Sequence, residues 1–451
     1  MNKNIFIAVC ALASALAFSS CERVKQTSVY TANVPQYLSY DELRTSVKND
    51  NSQTLEKPGK IFLYNNLILI NDFESGVHVY DNSNPTSPEH IAFINVPGNV
   101  DIAVRDNILY VDSYVDLVAI DISDPTDVRE IGRAEDALSY TIPSLDNWEY
   151  PVSRIDQSKG VITDYKVEEI EETCVNEECH VYYSNMTDEW AGTWGGTMMS
   201  DQGTAVSFSG NANNVRSSAA SNQSGIAGSM ARFMLIDNFL YVISDENTVD
   251  VFDINTSSMQ KVTEFQPWNE AGGFGFIETL FTFKDHLFIG SNSGMLAYDV
   301  SDASNPTYLS SYSHMTSCDP VVANDDYAFV TLRSGSMCGW GNDNQLDVLD
   351  IEDIMSPSIL RTVGLTNPHG LGIDDNEKML FICDGTAGLK VFDYTNVLQI
   401  DQNQIANVTG NETYDVIVFN GIAHVIGTQG LVQYNYSTDG TMDVLSTISL
   451  D

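Results

Sequence analysis

The sequence predicts an all-β fold, a seven-bladed β-propeller of four-stranded antiparallel blades, on three observations. The first is a β-run that returns seven times: LILIN at Leu67, LYVDS at Leu109, LYVIS at Leu240, LFIGS at Leu287, AFVTL at Ala328, LFICD at Leu380 and AHVIG at Ala423. The second is a companion run that follows each of them across a short polar turn, as in GVHVYD (Gly76), TVDVFD (Thr248), GMLAYD (Gly294), QLDVLD (Gln345), GLKVFD (Gly388) and GLVQYN (Gly430). The third is the period, roughly 40 residues per unit, punctuated by Asn, Asp, Gly and Pro. A single four-stranded sheet cannot bury both of its faces, whereas a closed ring of such sheets does. The interval from Leu109 to Leu240 is too long for one unit, so residues 139–228 form a loop-rich insertion between blades two and three. An eighth, degenerate blade inside that insertion is the alternative. An apolar content of 43% supplies enough material for the core.

The first 21 residues read as a targeting segment: Lys3 is basic, Ile5 to Phe18 is apolar, and Ser19 and Ser20 lead to Cys21. This pattern resembles a bacterial lipoprotein signal with its lipobox, although Phe18 replaces the usual Leu, Val or Ile. The resemblance implies that Cys21 becomes the acylated first residue of the mature chain. It further implies an outer-membrane lipoprotein of the cell envelope that faces the periplasm or the cell surface. Two acyl chains suffice for stable anchoring, so the expected membrane contact is a tether. Residues 22–57 are polar and read as that tether, with a short helix from Ser39 to Val47.

The propeller is expected over 58–451. In its second unit the four strands run Asp101 to Arg105, Ile108 to Ser113, Leu117 to Ile122 and Val128 to Arg133, on alternating β-branched and aromatic residues. The third strand ends in a D-x-S-[DN]-P tail, seen in Asp81-Asn-Ser-Asn-Pro85 and Asp121-Ile-Ser-Asp-Pro125, and partly in Asp299-Val-Ser-Asp-Ala303. The Tyr434-Asn435 pair of the last unit has lost the Asp. Run and tail together resemble the LVIVD repeat of exported bacterial lipoproteins, over residues 58–138 and 229–451. That resemblance implies architecture and address and carries no activity with it. Physically, the Asp is a turn former whose carboxylate caps backbone amides.

Within the insertion, Gly160 to Glu171 reads as a strand, and the Gly/Ser/Asn-rich tail SFSGNANNVRSSAASNQSGIAG as a flexible loop. Export places the cysteines in an oxidising compartment, where disulfides persist. With Cys10 in the signal and Cys21 acylated, five remain. Cys174 and Cys179 are expected to close a small loop, and Cys318 and Cys338 to tie two loops of one blade. Cys383 is then a buried free thiol, with the other pairings of the five left open by the sequence.

A meander sends alternate loops to opposite ends of the ring. The inter-blade connections and the loops between second and third strands therefore share one face. His314, Asp319, His369 and Asp384 all fall on it, at the expected channel mouth, as do Trp190, Trp194 and Trp340. Imidazoles with carboxylates are competent metal ligands or an acid/base pair. A hydrogen-bonding role in a hydrated channel is the commoner use, and no short-range ligand spacing unites these four. No G-x-S-x-G, H-E-x-x-H or P-loop motif is present in the sequence. No cofactor is expected, a divalent cation at oxygen-rich turns being the one candidate. With 62 Asp+Glu against 21 Lys+Arg, the net charge of -41 excludes nucleic acid as an expected partner.

The functional expectation is a lipid-anchored scaffold that binds a protein or a glycan through its loop-rich face. The alternative is a hydrolase or lyase working at the channel mouth, metal-dependent or not. Neither catalytic nor metal-ligating residues are assigned by the sequence.

Overall fold

The computed structural model describes residues 25–50, 53–140, 142–145, 147–175, 225–256, 258–314, 320–334 and 344–450. The chain divides into two units, Met1–Tyr37 with Leu145–Thr187, and Leu38–Ser144 with Asp188–Asp451.

The smaller unit is a two-stranded sheet of Lys25–Leu38 and Val161–Val175. The Asn33 side chain donates to the carbonyls of Asn147 and Tyr150, at 2.8 and 2.7 Å, and so ties the first strand to the start of the insertion. Residues 25–37 are thus strand where the composition suggested a tether. Their partner lies more than a hundred residues away, and KQTSVYTANVPQYL carries β-formers that only such a partner can recruit.

The larger unit holds seven four-stranded antiparallel blades in a ring, spanning 58–95, 102–134, 233–265, 277–313, 321–364, 371–408 and 413–448. Blade 2 consists of Ile102–Arg105, Ile108–Ser113, Asp116–Asp121 and Arg129–Ala134, within one residue of expectation throughout. No eighth blade occurs among the described residues. The central strands are buried on both faces, which is why they read as unbroken apolar runs: in Leu67–Asp72 every residue after the first is buried. Neighbouring sheets pack face to face, and the ring closes where Ile61, Leu63, Ile68 and Ile70 of blade 1 meet Ile417, Ile426 and Leu431 of blade 7.

Two local devices recur. Tight turns between first and second strands hold Asn65, Asp106, Asn107, Asp237 and Asn420 at positive φ, a conformation that Asn and Asp tolerate better than most residues. After the third strand, the Oδ1 of Asp81, Asp121, Asp299 and Asp350 each accepts the backbone N–H two residues on, at 2.8 to 3.0 Å. The tail aspartates are turn formers. Just before that turn the register between third and fourth strands shifts in all seven blades, as between Val79 and Tyr80 and between Gln433 and Tyr434. Such a bulge raises the local twist of each blade.

The expected helix of Ser39 to Val47 is shorter, Tyr40–Leu43, with a Ser39/Glu42 capping box. Lys48–Asn49 then adds a short strand to the outer edge of blade 1.

Candidate functional site: the loop face and the channel

Antiparallel alternation places the two loop classes together, and hydrogen bonds join them blade by blade. The Phe276 amide donates to Asn292 Oδ1 at 2.7 Å, the Gln429 amide to Asn411 Oδ1 at 3.1 Å, and the Thr413 amide to the Gly385 carbonyl at 3.1 Å.

In blade 6 this joint contains two of the residues singled out in the sequence. Asp384 is fully buried. It accepts the Thr366 amide at 2.9 Å and the Asn367 amide at 2.8 Å, and pairs with Lys390 at 2.5 Å. His369 lies in the inter-blade connection with Thr366 and Asn367, 4% exposed, with Nε2 3.2 Å from Asn367 Nδ2 and its ring edge-on to Tyr414. Burial, and then the charge of Arg333, push its pKa down to about 3. At neutral pH this imidazole is uncharged. The two side chains are therefore neighbours through Asn367, each held by the loop it stabilises. His314 sits in the link from blade 4 to blade 5, half-buried, its ring 6.1 Å from that of Tyr312.

Asp319, Cys318, Cys338, Cys179, Cys21, Trp190, Trp194 and Trp340 lie outside the described residues, as does the side chain of Cys174. The part of the Gly/Ser/Asn-rich tail at 207–224 lies outside them too. Cys383 is free and fully buried, and burial raises its pKa well above that of an ordinary thiol. It is a packing residue, not a nucleophile. No group of three or more His, Cys, Asp or Glu among the described residues has the arrangement of a metal site.

The channel itself holds chain. Ile226–Ala227 pairs antiparallel with the innermost strand of blade 1, Ile226 opposite Leu63 and Ala227 opposite Phe62. From there the segment reaches round the ring. The Gly225 amide donates to Val104 O of blade 2 at 2.9 Å, and the Leu280 amide of blade 4 donates to Ala231 O at 2.8 Å. Ser229 Oγ accepts the Leu371 amide of blade 6 at 2.7 Å and donates to Asp415 Oδ1 of blade 7 at 3.1 Å. The end of the insertion, expected to be a flexible loop, is a plug. Its small residues fit where seven strands converge, and a Cβ on Gly225 would stand 2.1 Å from Phe62 Cε1.

Charged groups surround the plug. Lys60 Nζ donates to Asp101 Oδ2 at 2.8 Å and to Met230 O at 3.1 Å, and burial lowers its pKa while Asp101 opposes the shift. Asp415 is completely buried, and burial raises its pKa well above the carboxylate range. Gly370 is required beside it, because a Cβ there would come within 1.8 Å of Asp415 Oδ1. These residues escaped sequence reading. The available signal was a charge at the head of an apolar first strand, as in PGKIFLY and TYDVIVF.

At the opposite mouth, a pocket of about 250 Å³ is lined by Phe283, Phe419, Tyr436, Asp325, Asp374 and Asp375. Its carboxylates are in use. Asp374 Oδ2 accepts the Tyr436 hydroxyl at 2.7 Å, and Asp375 Oδ1 accepts Asn324 Nδ2 at 2.7 Å.

The LVIVD repeat model matches residues 98–136, which contain all of blade 2. Blade 2 is similar to an LVIVD repeat. The other six blades share its strand plan, and several share its turn aspartate. No curated protein matches the chain. Solved propeller-like structures are similar at low identity. The computationally designed Ika8 protein has a TM-score of 0.47 at 10% identity, covering 90% of this chain and 91% of its own. Sqt1 of Saccharomyces cerevisiae has 0.46 at 8%, covering 92% and 89%. BamB of Moraxella catarrhalis has 0.43 at 11%, covering 86% and 98%. At this distance the likeness carries no functional information.

Proposed function

We propose that this protein is a lipid-anchored, exported scaffold of the bacterial cell envelope that binds a protein or glycan partner through its loop face. The observation that carries the reading is an exposed aromatic pair on a stiff loop. Phe274 is 76% exposed and Phe276 37%, with ring centroids 5.7 Å apart in an edge-on arrangement. The loop beneath them is braced. Trp268 is buried, Gly273 and Gly275 lie so close to its indole that a Cβ on either would stand 2.6 Å away, and Gly272 closes the short helix Pro267–Ala271 in the left-handed region. Large apolar rings held out of the core cost free energy in water and recover it on binding, and a preorganised loop loses little entropy in doing so. Residues 225–231 cross the channel and hydrogen-bond to its walls. The net charge of -41 favours a neutral or basic partner.

The test is crosslinking in intact cells, comparing the unaltered chain with a Phe274→Ser/Phe276→Ser double variant of equal abundance and thermal stability. Loss of a specific crosslinked partner, or of a hit on a glycan array, is the expected result. Retention of the same partner at the same yield overturns the reading. The anchor is tested separately by metabolic labelling with a fatty acid, where Cys21→Ala should abolish incorporation.

A further inference from the structure

Two imidazoles meet head to head in blade 1. His78 stands in the third strand, Gly76–Asp81, and His90 in the fourth, Glu89–Asn95. The register between these strands skips Ile91, so Tyr80 lies opposite His90 while His78 stays opposite Phe93. A bulge re-aims the side chains beyond it, and this one turns His90 onto the face of His78. His78 Nδ1 and His90 Nε2 are 3.1 Å apart. Phe93 packs 4.6 Å from the His78 ring and Tyr80 4.9 Å from the His90 ring, centroid to centroid, which holds both in place. His78 is 1% exposed, whereas His90 reaches solvent.

The other nitrogen of His78 faces an anion. Nε2 lies 3.6 Å from Oδ2 of the buried Asp72, whose Oδ1 accepts the Lys57 amide at 2.7 Å. A carboxylate there attracts an N–H and repels a lone pair, so the lone pair of His78 falls on Nδ1, toward His90. His90, open to water, takes either tautomer at little cost. Burial and the nearby His78 hold its pKa below that of an ordinary imidazole, so at neutral pH no proton competes for its lone pair. The propeller does not call for this pair. No other blade has histidine at either place: blade 2 has Val118 and Glu130, blade 4 Leu296 and Tyr308, and blade 7 Val432 and Val444.

Two imidazole nitrogens at this separation suit a metal. An ion about 2.1 Å from each subtends roughly 95° between them, close to the cis angle of tetragonal and octahedral coordination. A carboxylate behind a ligating histidine is the usual support of such sites, fixing the tautomer and raising the basicity of the ring. We infer that His78 Nδ1 and His90 Nε2 bind one divalent transition-metal ion, copper(II) in preference to nickel or zinc, with Asp72 positioning His78 and water completing the coordination. The site stands in blade 1, apart from the aromatic pair between blades 3 and 4, and does not depend on what the loop face binds.

The experiment is calorimetric titration of the full chain, carrying no histidine tag, with copper(II) chloride in a non-coordinating buffer at pH 7. One saturable equivalent is expected, and electron paramagnetic resonance of that complex should show coupling to two imidazole nitrogens. His90→Gln, a change at an exposed position, should weaken binding at least about tenfold with circular dichroism unaltered. Asp72→Asn should weaken it roughly 10–100-fold and shift the copper spectrum, which a loss of packing alone would not do. No saturable binding overturns the inference, and so does an unchanged affinity in His90→Gln, which would put the copper on the acidic surface. An unmoved spectrum and affinity in Asp72→Asn refute the part given to that residue. If His90→Gln misfolds, the spectrum of the unaltered chain decides: two imidazole nitrogens support the site, and one or none refutes it.

Discussion

His369 shows how one side chain serves a loop joint and also records its surroundings. Its imidazole is buried and neutral, with a pKa pushed down to about 3, so the folded chain sheds a proton that the unfolded chain holds below about pH 6.5. The stability gained by keeping it neutral is complete above pH 6.5 and is lost as pH falls toward the folded value, reaching about 5 kcal/mol at the limit. Urea unfolding between pH 7 and 4 should therefore show a steep acid loss that His369→Gln flattens. An unchanged slope would mean that the ring is solvated. Asp415 has the opposite sign: its raised pKa favours the folded state at low pH and disfavours it as pH rises. That the loops of His369 and Asp384 meet at Asn367 follows from antiparallel alternation, a topological rule legible in the sequence. The sequence was silent on Asp415, because a lone acidic residue in an apolar strand shows its buried partner only once the fold brings Ser229 beside it.

Among the segments of the fold, strands were the most legible and the insertion the least. Apolar runs such as LFICD and turn aspartates such as Asp121 encode their own conformation locally. The strand Lys25–Leu38 and the plug at 225–231 do not: each depends on a partner distant in sequence, and small residues chosen for tight fit have the same composition as a flexible linker. The plug is a structural element in energetic terms. Ser229 is fully buried and serves the Leu371 amide and the Asp415 carboxyl at once. Ser229→Ala leaves a buried N–H unpaired and should cost about 2 kcal/mol, read as a lower urea midpoint with an unchanged slope. A cost near zero would show that the segment is only loosely seated.

Among the described residues, no strand is exchanged between the first and last blades of the ring. Each blade is one continuous stretch, and closure rests on apolar packing and a reciprocal amide pair. Gln433 accepts Asn82 Nδ2 at 3.0 Å and donates to Asn82 Oδ1 at 2.8 Å and to Pro85 O at 3.2 Å, while Ser446 Oγ donates to Pro85 O at 2.7 Å. Gln433 is fully buried, so Gln433→Ala should lower stability by about 2–3 kcal/mol, measured by chemical denaturation. Hydrogen exchange should then quicken first in blades 1 and 7. Uniform acceleration in every blade would instead make the ring a single cooperative block.

The seating of residues 225–231 also bears on the order in which the protein can mature. The groups that receive Ser229 belong to the last two blades, about 140 and 190 positions further along the chain. A polypeptide emerging amino-terminus first must carry that serine without its counterparts until the carboxy-terminal blade is made. The axis of the ring is thus the last part to become native, and a nascent or truncated chain lacking the final blade would leave a hydrophilic hollow at its centre.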